Sequence, residues 1–285
     1  MLVSINSFLA EAKSRLLALG VDTDIFELRL LLAEAIGIDY KNMAHGELDI
    51  SELALNKFNA MLIERSLHKP VDKIIGCRGF YKYDFIVNEN VLSPRPDTEI
   101  LVENILLSLQ ANDYKQVLEL GVGSGCVIGS ILADAKAILA TGVDISLSAL
   151  EVARINAERL NVLDRLSLFQ ADWFANDFVD NFTHKFDLIV SNPPYITHSE
   201  ISTLSKEVKQ YDPLVALDGG EDGLDSYRRI AEISVPLLRD KGMIFLEVGE
   251  TQAQSVIDIF TSQGFRHDRT YNDLSGIKRC VSFKK

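Results

Sequence analysis

Cysteine is scarce in this sequence and poorly placed for any covalent or metal framework. Cys77, Cys126 and Cys280 are the only three among 285 residues, and no two of them form a CxxC pair. An odd, scattered set speaks against a disulfide scaffold and a structural zinc site. It fits a reducing, cytoplasmic location best. Long hydrophobic runs are missing too. No stretch is long and apolar enough to span a bilayer, so no membrane partner is expected. The N-terminal segment carries Glu11, Lys13 and Arg15 where a secretory segment would be uncharged, which predicts an ordinary first helix and no export. Basic charge is the third deficit. With 29 Lys and Arg against 41 Asp and Glu, the formal net charge is -12. Proteins that grip phosphates release counterions with Lys and Arg, so an acidic chain is biased against nucleic acid. The five histidines, His45, His68, His184, His198 and His267, show no metal-ligand spacing. No metal is expected.

What remains is ordinary globular composition, 47% hydrophobic and 25% charged, enough for one large domain and one small one. Residues 1–72 read as a helical bundle. Phe8, Leu9, Ala12, Leu16, Leu17 and Leu19 make one apolar stripe. Ile25, Leu28, Leu31, Leu32, Ala35 and Ile36 make a second, with Asp22, Thr23 and Asp24 available as caps. Ser51 precedes a third, containing Leu53, Leu55, Phe58, Met61, Leu62 and Ile63. Residues 73–92 read as a β-hairpin linker, with Ile74, Ile75 and Gly76 and then Phe80 to Val87 extended. Asp97 is positioned to cap a helix that begins at Thr98.

Residues 93–285 alternate between strands and helices. Val117–Leu120, Leu139–Asp144, Leu166–Gln170, Phe186–Ser191 and Gly242–Val248 are short apolar strands, with helices between them. That alternation predicts an α/β domain with a parallel sheet covered on both faces. Phe265–Tyr271 and Arg279–Phe283 are two further extended pieces, placed to pair antiparallel at one edge.

Three motifs fall at strand ends, where ligands bind in such sheets. Gly121-Val122-Gly123-Ser124-Gly125 joins the first strand to its helix, and its glycines permit a tight turn and close approach of a ligand to the backbone. Alone it is a weak signal, with a purely geometric turn and a dinucleotide site as rival readings. Asp144 ends the second strand and can accept hydrogen bonds from both hydroxyls of a ribose. NAD and S-adenosylmethionine share that ribose, so Asp144 does not separate them. Trp173, the only tryptophan, follows the third strand and either borders an adenine ring or simply packs.

The sharpest motif is Asn192-Pro193-Pro194-Tyr195, directly after the fourth strand. Its residue types suit methylation of a planar nitrogen. An amide nitrogen is a poor nucleophile because its lone pair is delocalised into the carbonyl. The Asn192 side-chain oxygen and the Pro193 backbone carbonyl can each accept one N–H of an NH₂ group, which turns the lone pair toward an electrophilic methyl. The prolines stiffen the loop, and Tyr195 offers an aromatic face to the planar group as it becomes cationic. Orientation and electrostatics then carry the catalysis.

With these residues in place, the chain resembles the release factor glutamine methyltransferases along almost its whole length. The resemblance rests on Ser93-Pro94-Arg95-Pro96-Asp97-Thr98-Glu99, the Gly121 to Gly125 loop, Asp172-Trp173-Phe174, Asn192-Pro193-Pro194-Tyr195-Ile196 and Leu217-Asp218-Gly219-Gly220-Glu221-Asp222-Gly223. It implies a Rossmann-like class I methyltransferase domain behind an N-terminal helical substrate-recognition domain. The implied reaction is methylation, by S-adenosylmethionine, of the glutamine side-chain amide in the Gly-Gly-Gln loop of class 1 peptide chain release factors. By position, Gly121, Val122, Gly123, Ser124, Gly125, Asp144, Trp173 and Asn192 contact the cofactor, and Asn192, Pro193, Pro194 and Tyr195 hold the glutamine. Glu119 sits near the methionine end. The family often has Gln in place of Lys69, Thr in place of Val122 and Glu in place of Asp212. Arg95 orients the linker, contacts the substrate backbone or makes a structural salt bridge. Cys126 sits at a helix start, where a thiol can be activated, but reads better as a small packing residue. The rival reading is an adenine-N6 nucleic-acid methyltransferase, since the exocyclic amino group of adenine poses the same problem to the same loop. The acidic charge and the small helical N-terminus argue against it.

Overall fold

Apolar spacing and end caps account for several elements of the fold. The structure, a computed structural model, describes residues 2–43, 46–273 and 275–285. His45, for which no role is expected, lies outside the described residues. The chain divides into two units.

The first unit comprises residues through Cys77 together with Ser205–Tyr211. It contains strand β1 (Leu2–Ser4), helices α1 (Ile5–Ala18) and α2 (Ile25–Ile36), strand β2 (Glu47–Asp49) and helices α3 (Glu52–Ser66) and α4 (Val71–Ile75). The antiparallel pair β1–β2 is not legible in the sequence. Asp24 alone of the three expected caps closes α2: its carboxylate accepts from Phe26 N, and Glu27 reaches back to Asp24 N. Ser51 caps α3 through Ala54 N. Leu9, Leu28, Leu31, Leu32, Phe58 and Leu62 form the core. Leu17, Leu53 and Ile63 face outward, because each lies off the buried stripe of its helix, and Leu19, just past the end of α1, is exposed. Ile74 and Ile75 are helical, not extended: Pro70 opens α4 with a helix-compatible φ, and Gly76 ends it in the left-handed region.

Within this unit the buried guanidinium of Arg65 donates to Glu207 at 2.6 Å and to the carbonyls of Asp22 and Lys69. A buried charge needs such partners to offset its lost hydration.

The hairpin β3 (Cys77–Phe80) and β4 (Tyr83–Ile86) leads into the second unit. There follow α5 (Glu99–Ala111), β5 (Gln116–Leu120), α6 (Cys126–Asp134), β6 (Leu139–Asp144), α7 (Leu147–Arg159), β7 (Leu166–Gln170) and β8 (Phe186–Ser191). After these come α8 (His198–Ile201), α9 (Lys206–Tyr211, the segment counted with the first unit), α10 (Asp225–Leu237), β9 (Leu238–Glu247), α11 (Ala253–Ser262), β10 (Arg266–Asn272) and β11 (Lys278–Lys284). Asp97 does not cap α5. It pairs with Arg279 at 3.1 Å, and a 3₁₀ turn at Pro96–Thr98 leads into the helix.

Seven strands form one sheet in the order β10-β11-β9-β8-β5-β6-β7. Strands β5 to β9 are parallel, and β11 runs antiparallel to both β9 and β10. Alternate residues feed opposite cores. Val117, Leu188, Val190 and Phe245 pack on the side of α6 and α7, whereas Leu118, Ile189, Ile244 and Leu246 pack on the side of α10 and α11. The chain reverses direction across the sheet between β5 and β8, and such a switch point opens a crevice at the strands' carboxyl ends.

Candidate active site

That crevice is present. A cleft of about 460 Å³ lies at the carboxyl ends of β5, β6 and β8, within the roughly 300–1,000 Å³ typical of small-molecule sites. Gly121, Gly123, Asp144, Trp173, Asn192 and Pro194 line it.

The glycine loop is shaped for this position. Gly121, Gly123 and Gly125 all have positive φ. A Cβ on Gly125 would meet the backbone of Ala153 at 3.2 Å, so only glycine lets α6 pack against α7 here. Asn156 on α7 steadies the loop from below, donating to the carbonyls of Ser124 and Ile86 and accepting from Ile86 N. Val122 also lines the cleft, and its side chain is buried against Gly142.

Asp144 accepts from Gly123 N and Ser146 N, each at 2.9 Å. A carboxylate has about four acceptor positions, so capacity remains for hydroxyl donors in the cleft. Burial raises its pKa, opposed by those backbone donors. Glu119, fully buried beneath the loop, accepts from Ile128 N, and burial holds its carboxyl well above the usual range. Trp173 packs against Gly121, and its buried indole N–H has no hydrogen-bond partner among the described residues. Arg229 fixes the segment by donating to the carbonyls of Trp173 and Ala175, each at 2.7 Å.

Asn192 follows β8, whose last residue, Ser191, donates from Oγ to the Leu120 carbonyl at 2.7 Å. This ties the start of the tetrapeptide to the end of β5. The Asn192 amide donates from Nδ2 to Thr98 Oγ1 at 3.3 Å, and Thr98 Oγ1 donates to Glu247 at 2.6 Å. Tyr195 places its hydroxyl 3.5 Å from the other Glu247 oxygen. Pro193 is buried, and neither Pro193 nor Tyr195 belongs to the cleft lining. Tyr195 instead packs where Gly219 and Gly249 leave room. A Cβ on Gly219 would lie 2.7 Å from Tyr195 Cα, so the Leu217–Gly223 motif admits the loop only as glycine. Backbone bonds from Ile196 N to Leu217 O and from Gly219 N to Ile196 O, both 2.9 Å, clamp the two segments together.

Burial pushes the Tyr195 phenol far up, so it stays protonated and is no base. Burial likewise raises Glu247 to about 7 and Cys126 to about 12. The low-dielectric setting of Cys126 thus outweighs its helix-start position, as expected of a packing residue. Arg95 lines the cleft and pairs with Asp212 at 3.3 Å. Thr98, Glu247, Gln252 and Asn156 escaped the sequence reading as site residues. Thr98 alone carried a signal, its place in the Pro-Arg-Pro-Asp-Thr segment.

Comparison with known proteins supplies the family. Residues 7–76 match the PrmC N-terminal domain, and residues 90–210 match the Methyltransferase small domain. The release factor glutamine methyltransferase of Caulobacter vibrioides is 39% identical over 273 residues, covering 95% of this chain and 92% of that one. The chain belongs to the release factor glutamine methyltransferase family. The Rickettsia felis bifunctional methyltransferase is 36% identical over 309 residues, and there the chain spans only 58% of its relative's length. Among solved structures, a methyltransferase from Pyrococcus furiosus matches with a TM-score of 0.52 at 16% identity, over 80% of this chain and 97% of that one. The fold is that of the class I S-adenosylmethionine-dependent methyltransferases, and the family's cofactor is S-adenosylmethionine. The residues present fit that group. The cleft offers acceptor capacity at the Asp144 carboxylate and, at Trp173, an indole N–H unpartnered among the described residues, with the glycine loop beside them. Among the described residues, no cluster of His, Cys, Asp or Glu is arranged to hold a metal ion, and no helix is long and apolar enough to cross a membrane.

Proposed function

We propose that this protein methylates the side-chain amide nitrogen of the glutamine in the Gly-Gly-Gln loop of class 1 peptide chain release factors, in the cytoplasm, with S-adenosylmethionine as methyl donor. One observation carries the reading: Asn192 and the glycine loop line a single cleft at the switch point between β8 and β5. S-adenosylmethionine supplies an electrophilic methyl group on a sulfonium. Gly121 to Gly125 admit the donor close to the backbone, Asp144 accepts from its ribose, and Trp173 borders its adenine.

Asn192 Oδ1 and the Pro193 carbonyl each accept one N–H of the glutamine amide. With both hydrogens held, the nitrogen lone pair is directed at the methyl carbon, and bringing the two together in that orientation removes much of the entropic barrier. The nitrogen gains positive charge as it reacts, which the surrounding carbonyl dipoles stabilise; the Tyr195 ring, outside the cleft lining, would add to this only where the bound glutamine reaches it. It becomes acidic as amide resonance is lost, so it sheds its proton to solvent without a strong base. Within this reading, residues 1–72 recognise the body of the release factor, residues 73–92 link, and residues 93–285 catalyse.

Mass spectrometry of a class 1 release factor co-expressed with this protein tests the proposal. One methyl group is expected on the loop glutamine. Asn192→Ala is expected to abolish it while leaving cofactor affinity within a few-fold. Methyl transfer to adenine in DNA, with none to release factor, would overturn the assignment in favour of the nucleic-acid reading.

A further inference from the structure

We propose that Thr98 and Glu247 are positioning residues that set which way the Asn192 side-chain amide faces. The inference rests on the reading of Asn192 as the acceptor for a substrate N–H.

Counting protons fixes the orientation. A threonine hydroxyl has one proton to give and two lone pairs. The Thr98 proton is committed to Glu247 Oε2 at 2.6 Å, a short bond of the charge-assisted kind. Toward Asn192, 3.3 Å away, Thr98 Oγ1 is therefore left only as an acceptor. That requires the Nδ2 end of the amide to face it. A flipped amide would set Oδ1 against a hydroxyl oxygen with no proton to offer, in a buried setting where such a mismatch is costly. The other branch of the planar amide then carries Oδ1, and Asn192 lines the cleft. A carboxylate two bonds away from the substrate site thereby decides whether Asn192 presents an acceptor or a donor. This gives a function to the Pro-Arg-Pro-Asp-Thr segment, which precedes α5 and supplies nothing else to the amide clamp.

The same count predicts a pH response. Glu247 is enclosed by Asp97 and Thr98 from the turn before α5, Tyr195 after β8, Tyr227 on α10, Arg279 and Cys280 on β11, and Cys126 on α6. Arg279 favours the carboxylate, whereas burial and Asp97 oppose it, and its pKa lies at about 7. Once protonated, Glu247 can donate to Thr98. The Thr98 proton is then free to meet Oδ1, and the flipped amide becomes the satisfied one.

The test uses the full chain, ¹⁵N-labelled, with the Asn192 side-chain NH₂ resonances assigned by their loss in Asn192→Asp. In the wild type these signals should shift between pH 6 and 8. Glu247→Gln should abolish the shift, and Thr98→Val should move the signals and remove their pH response. With release factor and S-adenosylmethionine as substrates, Thr98→Val should lower kcat roughly 10- to 100-fold, the scale of a misplaced reacting group, with both KM values little changed. Thr98→Ser should restore it. If Thr98→Val does not fold, the nearly isosteric Glu247→Gln carries the test through a kcat that no longer falls below neutral pH. Asn192 signals indifferent to both substitutions, or wild-type kcat in Thr98→Val, would overturn the inference. A wild type that leaves release factor unmethylated, yet shows the pH-linked signals, would instead overturn the substrate assignment and uphold the orientation.

Discussion

Gln252 Nε2 donates to the backbone carbonyl of Tyr195 at 2.9 Å, and also to that of Gly223 at 3.2 Å. One side chain from the turn before α11 thus fastens the last residue of the Asn-Pro-Pro-Tyr loop to the glycine-rich segment behind it. Gln252→Ala leaves both carbonyls unpaired. A loss of about 1–2 kcal/mol in stability is expected, with kcat reduced roughly tenfold by looser aim. Denaturant titration and steady-state rates with release factor check this. Unchanged kcat would show that the loop needs no such fastening.

Asp144 joins the glycine loop to the expected ribose position. Asp144→Ala removes the acceptor for Gly123 N and for the cofactor hydroxyls together. Bonds to a charged group contribute about 1.5–3 kcal/mol each, so S-adenosylhomocysteine should bind at least roughly tenfold more weakly by calorimetry. Affinity equal to the wild type would remove Asp144 from the cofactor site.

Trp173 is the only tryptophan, and it lines the cleft with its indole N–H buried and unpartnered among the described residues. Tryptophan emission, excited selectively over tyrosine, therefore reports on the cleft. Titration with S-adenosylhomocysteine should change the emission saturably, with a midpoint matching the calorimetric Kd. An emission that stays flat while heat is released would place the adenine elsewhere.

Stability should depend on pH through Glu247. Its carboxyl ionises at about 7 in the folded protein, against 4.5 ordinarily. Between those values the folded state keeps a proton that the unfolded chain has lost. The contribution is complete below the unfolded value and is lost as pH rises through the folded one, by at most about 3 kcal/mol. Glu119 and Asp144, also raised by burial, push the same way. Denaturation at pH 5 and pH 8 should show a smaller difference for Glu247→Gln than for the wild type. Equal differences would mean that Glu247 does not titrate in this window.

Much of this site was legible because the decisive residues are punctuation. Glycines at Gly121 to Gly125 and prolines at Pro193 and Pro194 mark the ends of β5 and β8, and both strands read plainly as apolar runs. Strand ends converge at a switch point, so two motifs far apart in sequence were expected to share a cleft. Glu247 was hidden for the opposite reason. It ends a strand like any other polar residue, and its partner Thr98 lies 149 positions earlier, a pairing that local pattern does not encode. Asp97 misled as a cap because its better partner, Arg279, comes from β11. Ile74 and Ile75 looked extended because two β-branched residues beside glycine suit a strand. Pro70 and Gly76 fit a single helical turn equally well, and in that turn Val71 is buried.

The route of the backbone between Leu204 and Asp212 bears on how this molecule can be cut or recombined. Those seven residues leave the methyltransferase fold, join the N-terminal bundle around Arg65, and return. No single scissile point therefore separates the halves. A shuffled gene that swapped the first 77 codons for a foreign bundle would import a helix set unmatched to Glu207, so exchange between relatives should succeed only when both stretches travel together.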